Sequence, residues 1–190
     1  NKLCGRQLFH WMYARGSNSF SQMTNLTRAS RSFLEVSCAI RLPKISGQFQ
    51  SQDGTVRYLL ELSDRNTIET VYIPDEHRDT FCLSSQVGCP LDCQFCFTAL
   101  LGKGRDLTVG EIVGQVFAVR PDLMQTSNKR LNIVFMGMGE PFLNYSNLIS
   151  AIQILSHPMG LGISPRRITV STAGVIPGIH SFSTEPNRSK

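Results

Sequence analysis

The sequence predicts an α/β fold, and three observations carry the prediction. From Thr80 onward, apolar strand-like runs alternate with helix-like segments in the order βαβαβα. The run LNIVFMG is almost continuously apolar, as expected of a parallel strand that is buried on both faces. Thr108 and Glu111 have the spacing of a capping box at the start of a helix. We therefore expect parallel strands with right-handed crossovers and functional loops at the strand carboxyl ends.

The first 35 residues predict a small helical module. The segment RQLFHWMYAR, residues 6–15, has helical spacing of apolar side chains, and Gly16 is a suitable stop. A second short helix is expected after residue 20, with Ser21 or Thr24 as its cap. Aromatic residues in such a segment more often form a core than a base-stacking surface.

Residues 36–78 predict a small β-unit. Asp53-Gly54 is a hairpin signal, and the runs TVRYLLELS and TIETVYIP are typical of strands. Asp64–Asn66 would turn the chain between these runs, and Pro74 would end the second. Taken alone, Glu69 within the second run is expected to face outward from the strand.

Composition limits the classes of protein to which the chain can belong. Its 190 residues, 41% hydrophobic, are enough to bury a core, and the net charge of +5 is compatible with a polyanionic partner. No apolar run is long enough to span a bilayer. The six cysteines are too clustered for a disulfide scaffold, which favours a reducing compartment. We therefore expect a cytoplasmic location, or an organelle if a targeting segment has been removed.

The stretch CLSSQVGCPLDCQFCFT carries the main chemical signal. Cys89, Cys93 and Cys96 stand in the spacing C-x-x-x-C-x-x-C. Ordinary iron–sulfur and structural zinc sites close with four protein ligands, so three thiolates leave one position open. This favours a 4Fe–4S cluster whose open iron binds S-adenosylmethionine (SAM), with the radical chemistry supplied by the cofactor. The alternatives are a zinc site completed by Cys82 or His77, and unrelated free thiols.

These residues resemble the RlmN/Cfr family of radical-SAM RNA adenosine methyltransferases. The matching motifs are SSQVGC, CQFC, LTVGEIVGQV, NIVFMGMGEPFLNY and RRITVSTAGVIP, with RQLFHWMY and MTNL nearer the start. The resemblance implies half of a radical-SAM (β/α) barrel over residues 79–180, and an RNA-binding role for residues 1–35. It also implies methylation of carbon 2 of an adenosine in 23S ribosomal RNA, transfer RNA or both. A carbon-8 methyltransferase and a non-catalytic iron–sulfur or RNA-binding remnant stay open as alternatives.

The resemblance also assigns roles to residues outside the cluster loop. Gly139 and Glu140 match the family's SAM-binding pair, although a GxGE turn by itself is a weak signal. Ser171 matches a serine that contacts SAM. Glu69 matches a glutamate taken as the proton acceptor. Cys82 matches the cysteine that resolves the protein–RNA intermediate through a transient disulfide with a second, methyl-carrying cysteine.

The resemblance fades after about Ile179. The segment SFSTEPNRSK, residues 181–190, is polar and is expected to be a disordered, unmatched tail. Relative to the family we expect a C-terminally truncated chain without the methyl-carrying cysteine, one that binds a cluster without methylating RNA by itself. The expected partners are ribosomal RNA, transfer RNA and an electron donor such as a flavodoxin-type reductant, with no membrane.

Overall fold

The structure is a computed structural model that describes residues 2–119 and 129–186. Its α-helices within these residues are α1 Lys2–Tyr13, α2 Arg28–Ser37, α3 Val109–Val119, α4 Tyr145–Ser156 and α5 Ile176–Ser183. Its strands are β1 Lys44–Gln50, β2 Val56–Glu61, β3 Thr67–Pro74, β4 Arg78–Cys82, β5 Gln86–Gly88, β6 Lys103–Asp106, β7 Arg130–Phe135 and β8 Ile168–Val170. No helix in the described residues is both long and apolar enough to cross a membrane.

The main sheet has six strands in the order β1-β2-β3-β4-β7-β8. Strands β1 to β4 pair antiparallel, whereas β4, β7 and β8 pair parallel, with α3 and α4 in the two connections. The sheet curls as a half-barrel, and the predicted α/β fold class is confirmed. The β-unit expected over residues 36–78 continues into the barrel strands because β3 pairs directly with β4.

One face of the sheet carries the core. Ile68, Phe81, Ile133 and Ile168 are fully buried, one on each of β3, β4, β7 and β8. They belong to one apolar cluster with buried side chains of α3 and α4. The opposite face is only partly buried, because side chains alternate between the two faces of a strand. This open face is where the sheet can receive a ligand.

The predicted turns of the β-unit are confirmed. Gly54 adopts a φ of +84° in the loop between β1 and β2, and the Asp53 carboxylate accepts a hydrogen bond from the Thr55 amide at 3.0 Å. Asp64 accepts in the same way from the Asn66 amide at 3.0 Å. Short acidic side chains therefore fix both turns by bonding the backbone two residues on.

The capping box of α3 is also confirmed. The Glu111 amide donates to the Thr108 hydroxyl at 3.2 Å, and the Thr108 amide donates to Glu111 Oε2 at 2.9 Å. Arg105 on β6 adds a two-pronged ion pair to the Glu111 carboxylate, with distances of 2.7 and 2.9 Å. The predicted end of this helix near Arg120 lies outside the described residues. Asn144, one of the two residues expected to begin the next helix, occupies the N-cap position of α4, although its side chain makes no capping hydrogen bond.

The N-terminal module differs in detail from the prediction. The second helix is capped by Thr27, whose hydroxyl accepts from the Ser30 amide at 3.2 Å, so Ser21 and Thr24 were the wrong caps. The chain ahead of Thr27 is used for packing instead. Its side chains Phe20, Met23 and Leu26 are buried in a small separate core beside Trp11.

The expectation of disorder after residue 180 is wrong for residues 181–186. Helix α5 continues to Ser183, and Phe182 packs against Phe142 with ring centroids 5.4 Å apart. The Tyr145 hydroxyl then donates to Glu185 at 3.0 Å. One aromatic residue in a polar segment is enough to dock this turn, whereas residues 187–190 lie outside the described part.

Candidate active site

Three loops meet at the carboxyl edge of the parallel strands. The loop after β4 carries the three clustered cysteines, the loop after β7 carries the sequence GMGE, and Ser171 directly follows β8. Because β4, β7 and β8 are parallel neighbours, their carboxyl ends lie side by side. The alternation in the sequence therefore located this edge correctly.

The cysteine loop starts from the short β5–β6 ribbon. The Cys89 amide donates to the Gly102 carbonyl at 3.0 Å, and the Cys96 amide donates to the Cys93 carbonyl at 2.9 Å. The ribbon needs glycine at Gly104, since a Cβ there would lie 1.9 Å from the Val87 carbonyl oxygen. The two strands can approach this closely only without side chains.

The donor set of this loop fits an iron–sulfur cluster in its chemistry. Cys89, Cys93 and Cys96 are free thiols, each only partly buried. Within residues 2–119 and 129–186, no three His, Cys, Asp or Glu side chains are arranged to hold a metal ion, so the three thiols do not point to a common centre. Cys93 and Cys96 line a cavity of about 150 Å³, and the flanking Phe95 and Phe97 are exposed. Thiols are the usual ligands of such clusters.

Hydrogen bonds from the side chain and the backbone amide of Thr98 lower the pKa of the Cys96 thiol. Thiolate, rather than thiol, is the form that binds metal. Cys96 also precedes the 3-10 turn Phe97–Leu101, and a bond from the Ala99 backbone lowers the pKa further. The local backbone thus favours negative charge at this sulfur.

Glu140 lies at the junction of the three loops and is only 3% exposed. Its Oε1 accepts from the Phe142 amide at 3.0 Å, and its Oε2 accepts from the Ala173 amide at 2.8 Å. Its own amide donates to Gln86 Oε1 at 2.9 Å. Glu140, which is predicted to bind SAM, therefore also connects the loops after β7 and β8 through its hydrogen bonds. A carboxylate has about four lone-pair sites, which leaves capacity for a ligand ammonium.

Gly139 is required at its position by conformation and by space. Its φ is +94°, which L side chains rarely adopt, and a Cβ would lie 2.5 Å from the Cβ of Gln86. The GMGE loop consequently packs directly on the segment that leads from β4 to the cysteines. The next site residue, Ser171, is exposed, and its amide donates to the Phe135 carbonyl at 3.3 Å.

Glu69 and Cys82 share the open face of the sheet. Cys82 is opposite Val71 in the β3–β4 register, and Glu69 precedes Val71 by two residues. The Cα atoms of such diagonal neighbours are about 7–8 Å apart, so the structure brings the two predicted catalytic residues near one another. Burial raises the pKa of the Cys82 thiol, opposed by a hydrogen bond with the Met136 backbone.

Sequence reasoning missed the partner of Glu69. Arg57 on β2 donates to Glu69 Oε1 at 2.8 Å, and both side chains are partly exposed. The register pairs Leu59 with Glu69, which places Arg57 diagonally across from it on the same face. A hairpin register written out from the Asp64–Asn66 turn could have found this ion pair.

The zinc alternative is not supported by the placement of its ligands. His77 directly precedes β4, whereas the cysteine loop follows it, and a strand of five residues spans about 16 Å. The other suggested ligand, Cys82, ends β4 on the open face with Glu69.

The chain belongs to the radical SAM superfamily, whose family model matches residues 83–181. This range includes the three loops at the sheet edge. Residues 1–40 match the model of the ribosomal RNA large subunit methyltransferase N-terminal domain. Radical SAM proteins use a 4Fe–4S cluster and SAM, which supports the predicted cofactors over zinc.

Individual relatives narrow the comparison. A probable dual-specificity RNA methyltransferase RlmN from Flavobacterium johnsoniae is 46% identical over 172 residues, which cover 90% of this chain and 49% of that protein. A protein of the same name from Flavobacterium psychrophilum is 47% identical, with 90% and 50% covered. The crystal structure of a radical SAM methyltransferase from Sphaerobacter thermophilus matches with a TM-score of 0.89 and 38% identity, covering 99% of this chain and 55% of that one.

The predicted resemblance to RlmN-like radical SAM methyltransferases is thus confirmed. The chain spans about half the length of the curated relatives it matches.

Proposed function

We propose that this chain forms the cluster- and SAM-binding half of a methyltransferase that acts on carbon 2 of an adenosine in 23S ribosomal RNA, transfer RNA or both. The observation that carries the proposal is the meeting of the cysteine loop, the GMGE loop and Ser171 at one edge of a half-barrel. The N-terminal match and the names of the relatives support RNA as the substrate class.

In this proposal Cys89, Cys93 and Cys96 hold the cluster. When bound, the cluster supplies the electron that cleaves SAM reductively. The remaining work belongs to the protein. Gly139 lets the backbone approach the ligand, and Glu140, already fixed by two backbone amides, accepts from the SAM ammonium. A rigidly held acceptor loses little freedom when its ligand arrives.

Glu69 and Cys82 take the steps that follow attachment of the carbon unit. The Glu69 carboxylate is on the open face and takes the proton released from the adenine carbon. Burial raises the pKa of the Cys82 thiol and so favours its protonated form. Attack of the Cys82 thiolate on the sulfur of the methyl-carrying cysteine would form the transient disulfide and break the bond from that sulfur to the RNA-attached carbon, which then takes up a proton. Cys82 therefore has to lose its own proton at that stage.

The substrate must present an accessible base. Carbon 2 lies at the Watson–Crick edge of adenine, so the target base has to be unpaired or flipped out. The positive net charge of the chain favours association with the phosphate backbone. We further propose a flavodoxin-type protein as electron donor, and a cytoplasmic location because all six cysteines are free thiols.

A chimera tests the proposal. This chain replaces the matching half of the Flavobacterium johnsoniae relative, and the rest of that protein supplies what the chain does not cover. After anaerobic incubation with SAM, a reductant and unmodified RNA, we expect a methyl group on adenosine carbon 2 by mass spectrometry of nucleosides. Methylation at carbon 8, or SAM cleavage without RNA methylation in a folded chimera, would contradict it.

A further inference from the structure

Three polar side chains without solvent exposure meet directly behind the candidate active site. They are Thr70 on β3, Ser84 in the segment after β4, and Gln115 on α3, each 0% exposed. The neighbouring buried residues of α3 are mostly apolar. Uncharged polar groups are rarely this buried unless their hydrogen bonds are made, so their partners indicate what the cluster does.

The Gln115 side chain replaces a missing strand partner. Its Oε1 accepts from the Ser84 amide at 2.9 Å, and its Nε2 donates to the Ser84 carbonyl at 2.9 Å. Its Oε1 also accepts from the Thr70 hydroxyl at 2.7 Å. Strand β4 ends at Cys82, so the backbone groups of Ser84 are beyond its pairing with β3. Buried backbone groups need partners, and the amide of Gln115 supplies both.

The Ser84 hydroxyl continues the connection toward the site. It donates to the Glu69 carbonyl at 2.6 Å and accepts from the Met138 amide at 2.9 Å. Glu69 is the candidate proton acceptor, and Met138 lies in the GMGE loop. One buried hydroxyl therefore joins the strand of the acceptor to the SAM loop, five residues ahead of Cys89.

The chain around the Ser84 hydroxyl is closely packed and makes a further backbone hydrogen bond. A Cβ on Gly137 would lie 2.8 Å from the Ser84 hydroxyl oxygen, and the Ser85 amide donates to the Met138 carbonyl at 2.8 Å. A fully bonded buried polar network of this kind defines one arrangement of the elements it joins.

We propose that Ser84 and Gln115 are positioning residues that fix the distance between the acceptor Glu69, the GMGE loop and the root of the cysteine loop. The inference rests on the proposed function, since it assigns these residues to the SAM and acceptor sites. Neither side chain touches the substrate. Both act through the backbone of the residues they hold.

The first experiment uses the 190-residue chain without cofactor and measures amide hydrogen exchange. In Ser84→Ala we expect exchange at residues 67–72 and 136–142 to rise by about tenfold, the factor expected when local opening no longer has to break a buried hydrogen bond. Ser85→Ala is the matched control, because that neighbouring buried hydroxyl makes only a 3.4 Å contact to the Met138 carbonyl. Equal exchange in the two variants would overturn the proposal.

The second experiment measures the SAM dissociation constant of the reconstituted chain under anaerobic conditions. We expect about tenfold weaker binding in Ser84→Ala and in Gln115→Glu, with cluster content unchanged. Glutamate keeps the shape of Gln115 but cannot donate to the Ser84 carbonyl. Leu155→Ala, a core change in α4 at least as destabilising, should leave SAM binding within about twofold.

The outcomes separate this inference from the proposed function. Unchanged SAM affinity in Ser84→Ala, or an equal loss in Leu155→Ala, overturns the positioning role while the proposed function stands. If the unmodified reconstituted chain binds no SAM, the proposed function fails and the positioning role toward SAM fails with it.

Discussion

Replacing Glu140 by glutamine tests the dual role that the structure gives this side chain. Its two carboxylate oxygens accept from the amides of Phe142 and Ala173, at 3.0 and 2.8 Å, in a nearly dry environment. Glutamine of the same shape has one accepting oxygen and one NH₂ group. Whichever way the amide turns, one of these backbone N–H groups loses its acceptor and faces a donor: the N–H of Phe142, whose bond is buried, or that of Ala173, whose bond is part-buried.

The expected cost follows from this one broken bond. Hydrogen bonds to charged groups contribute about 1.5–3 kcal/mol, and a buried amide left without a partner carries a similar penalty. We therefore expect the free energy of unfolding to fall by about 2–3 kcal/mol. For a chain of this length that corresponds to a fall of about 4–12 °C in Tm.

Two assays separate the two roles of Glu140. Thermal unfolding of the cofactor-free chain measures what its bonds to Phe142 and Ala173 contribute to stability. Glu69→Gln is the control, because Glu69 is on the open face and its ion pair with Arg57 is solvated. Anaerobic SAM binding by the reconstituted protein measures the ligand role. There we expect about tenfold weaker binding with the cluster retained, since a charge-assisted bond becomes a neutral one. Equal Tm and equal SAM affinity in Glu140→Gln and the unmodified chain would refute both parts of the reasoning.

Three further changes have defined outcomes. Gly139→Ala should lower Tm and weaken SAM binding together, because φ is +94° and a Cβ would contact Gln86; an unchanged Tm would contradict this. Arg105→Gln should cost about 1 kcal/mol at pH 7. Burial raises the pKa of Glu111, but the hydrogen bonds from Arg105 and Thr108 have the larger effect, so the pKa of Glu111 is lowered overall. Arg105 also pairs with Asp64, whose pKa it holds well below the ordinary value. The Arg105 contribution is therefore present above the ordinary carboxyl pKa and lost as pH falls through the lowered pKa values of both carboxylates, so the difference in urea unfolding between the two proteins should shrink progressively as the medium is acidified. Tyr145→Phe should cost about 1 kcal/mol by removing the bond to Glu185. Burial and that bond raise the pKa of Tyr145 to about 12, so the advantage of tyrosine should disappear as pH rises from about 10 to about 12; a difference independent of pH would contradict this assignment.

The sequence predicted the parts of the fold that local patterns encode. The Thr108–Glu111 capping box, the Asp53-Gly54 hairpin and the parallel strand β7 each depend on neighbouring residues, and each is confirmed. Burial of β7 on both faces is not, because only Ile133 and Phe135, on one face, are buried. The wrong cap of α2 has a tertiary cause. Ser21 and Thr24 are suitable caps by type, but the intervening chain buries Phe20 and Met23, which delays the helix to Thr27.

The candidate site was predictable where motifs are contiguous. The cysteine spacing and the GMGE sequence are read directly from the chain, and the roles of Glu69 and Cys82 stay predictions from resemblance. The Arg57–Glu69 ion pair and the Ser84–Gln115 network join residues 12 and 31 positions apart in sequence. Their signal was indirect: Gln115 is a polar residue inside the apolar helix IVGQVFAV, and its partners become known only when the strands are placed.

The most direct test of the account is the metal content and SAM response of the reconstituted chain. Cluster binding is attributed to Cys89, Cys93 and Cys96 and to no other cysteine. After anaerobic incubation with iron, sulfide and thiol, we expect iron and sulfide in a ratio of about one, and a change in the electron paramagnetic resonance spectrum of the reduced cluster when SAM is added. Cys93→Ala should abolish the chromophore, whereas Cys38→Ala should leave it intact. Stoichiometric zinc without iron, or an intact SAM-responsive cluster in Cys93→Ala, would contradict the account.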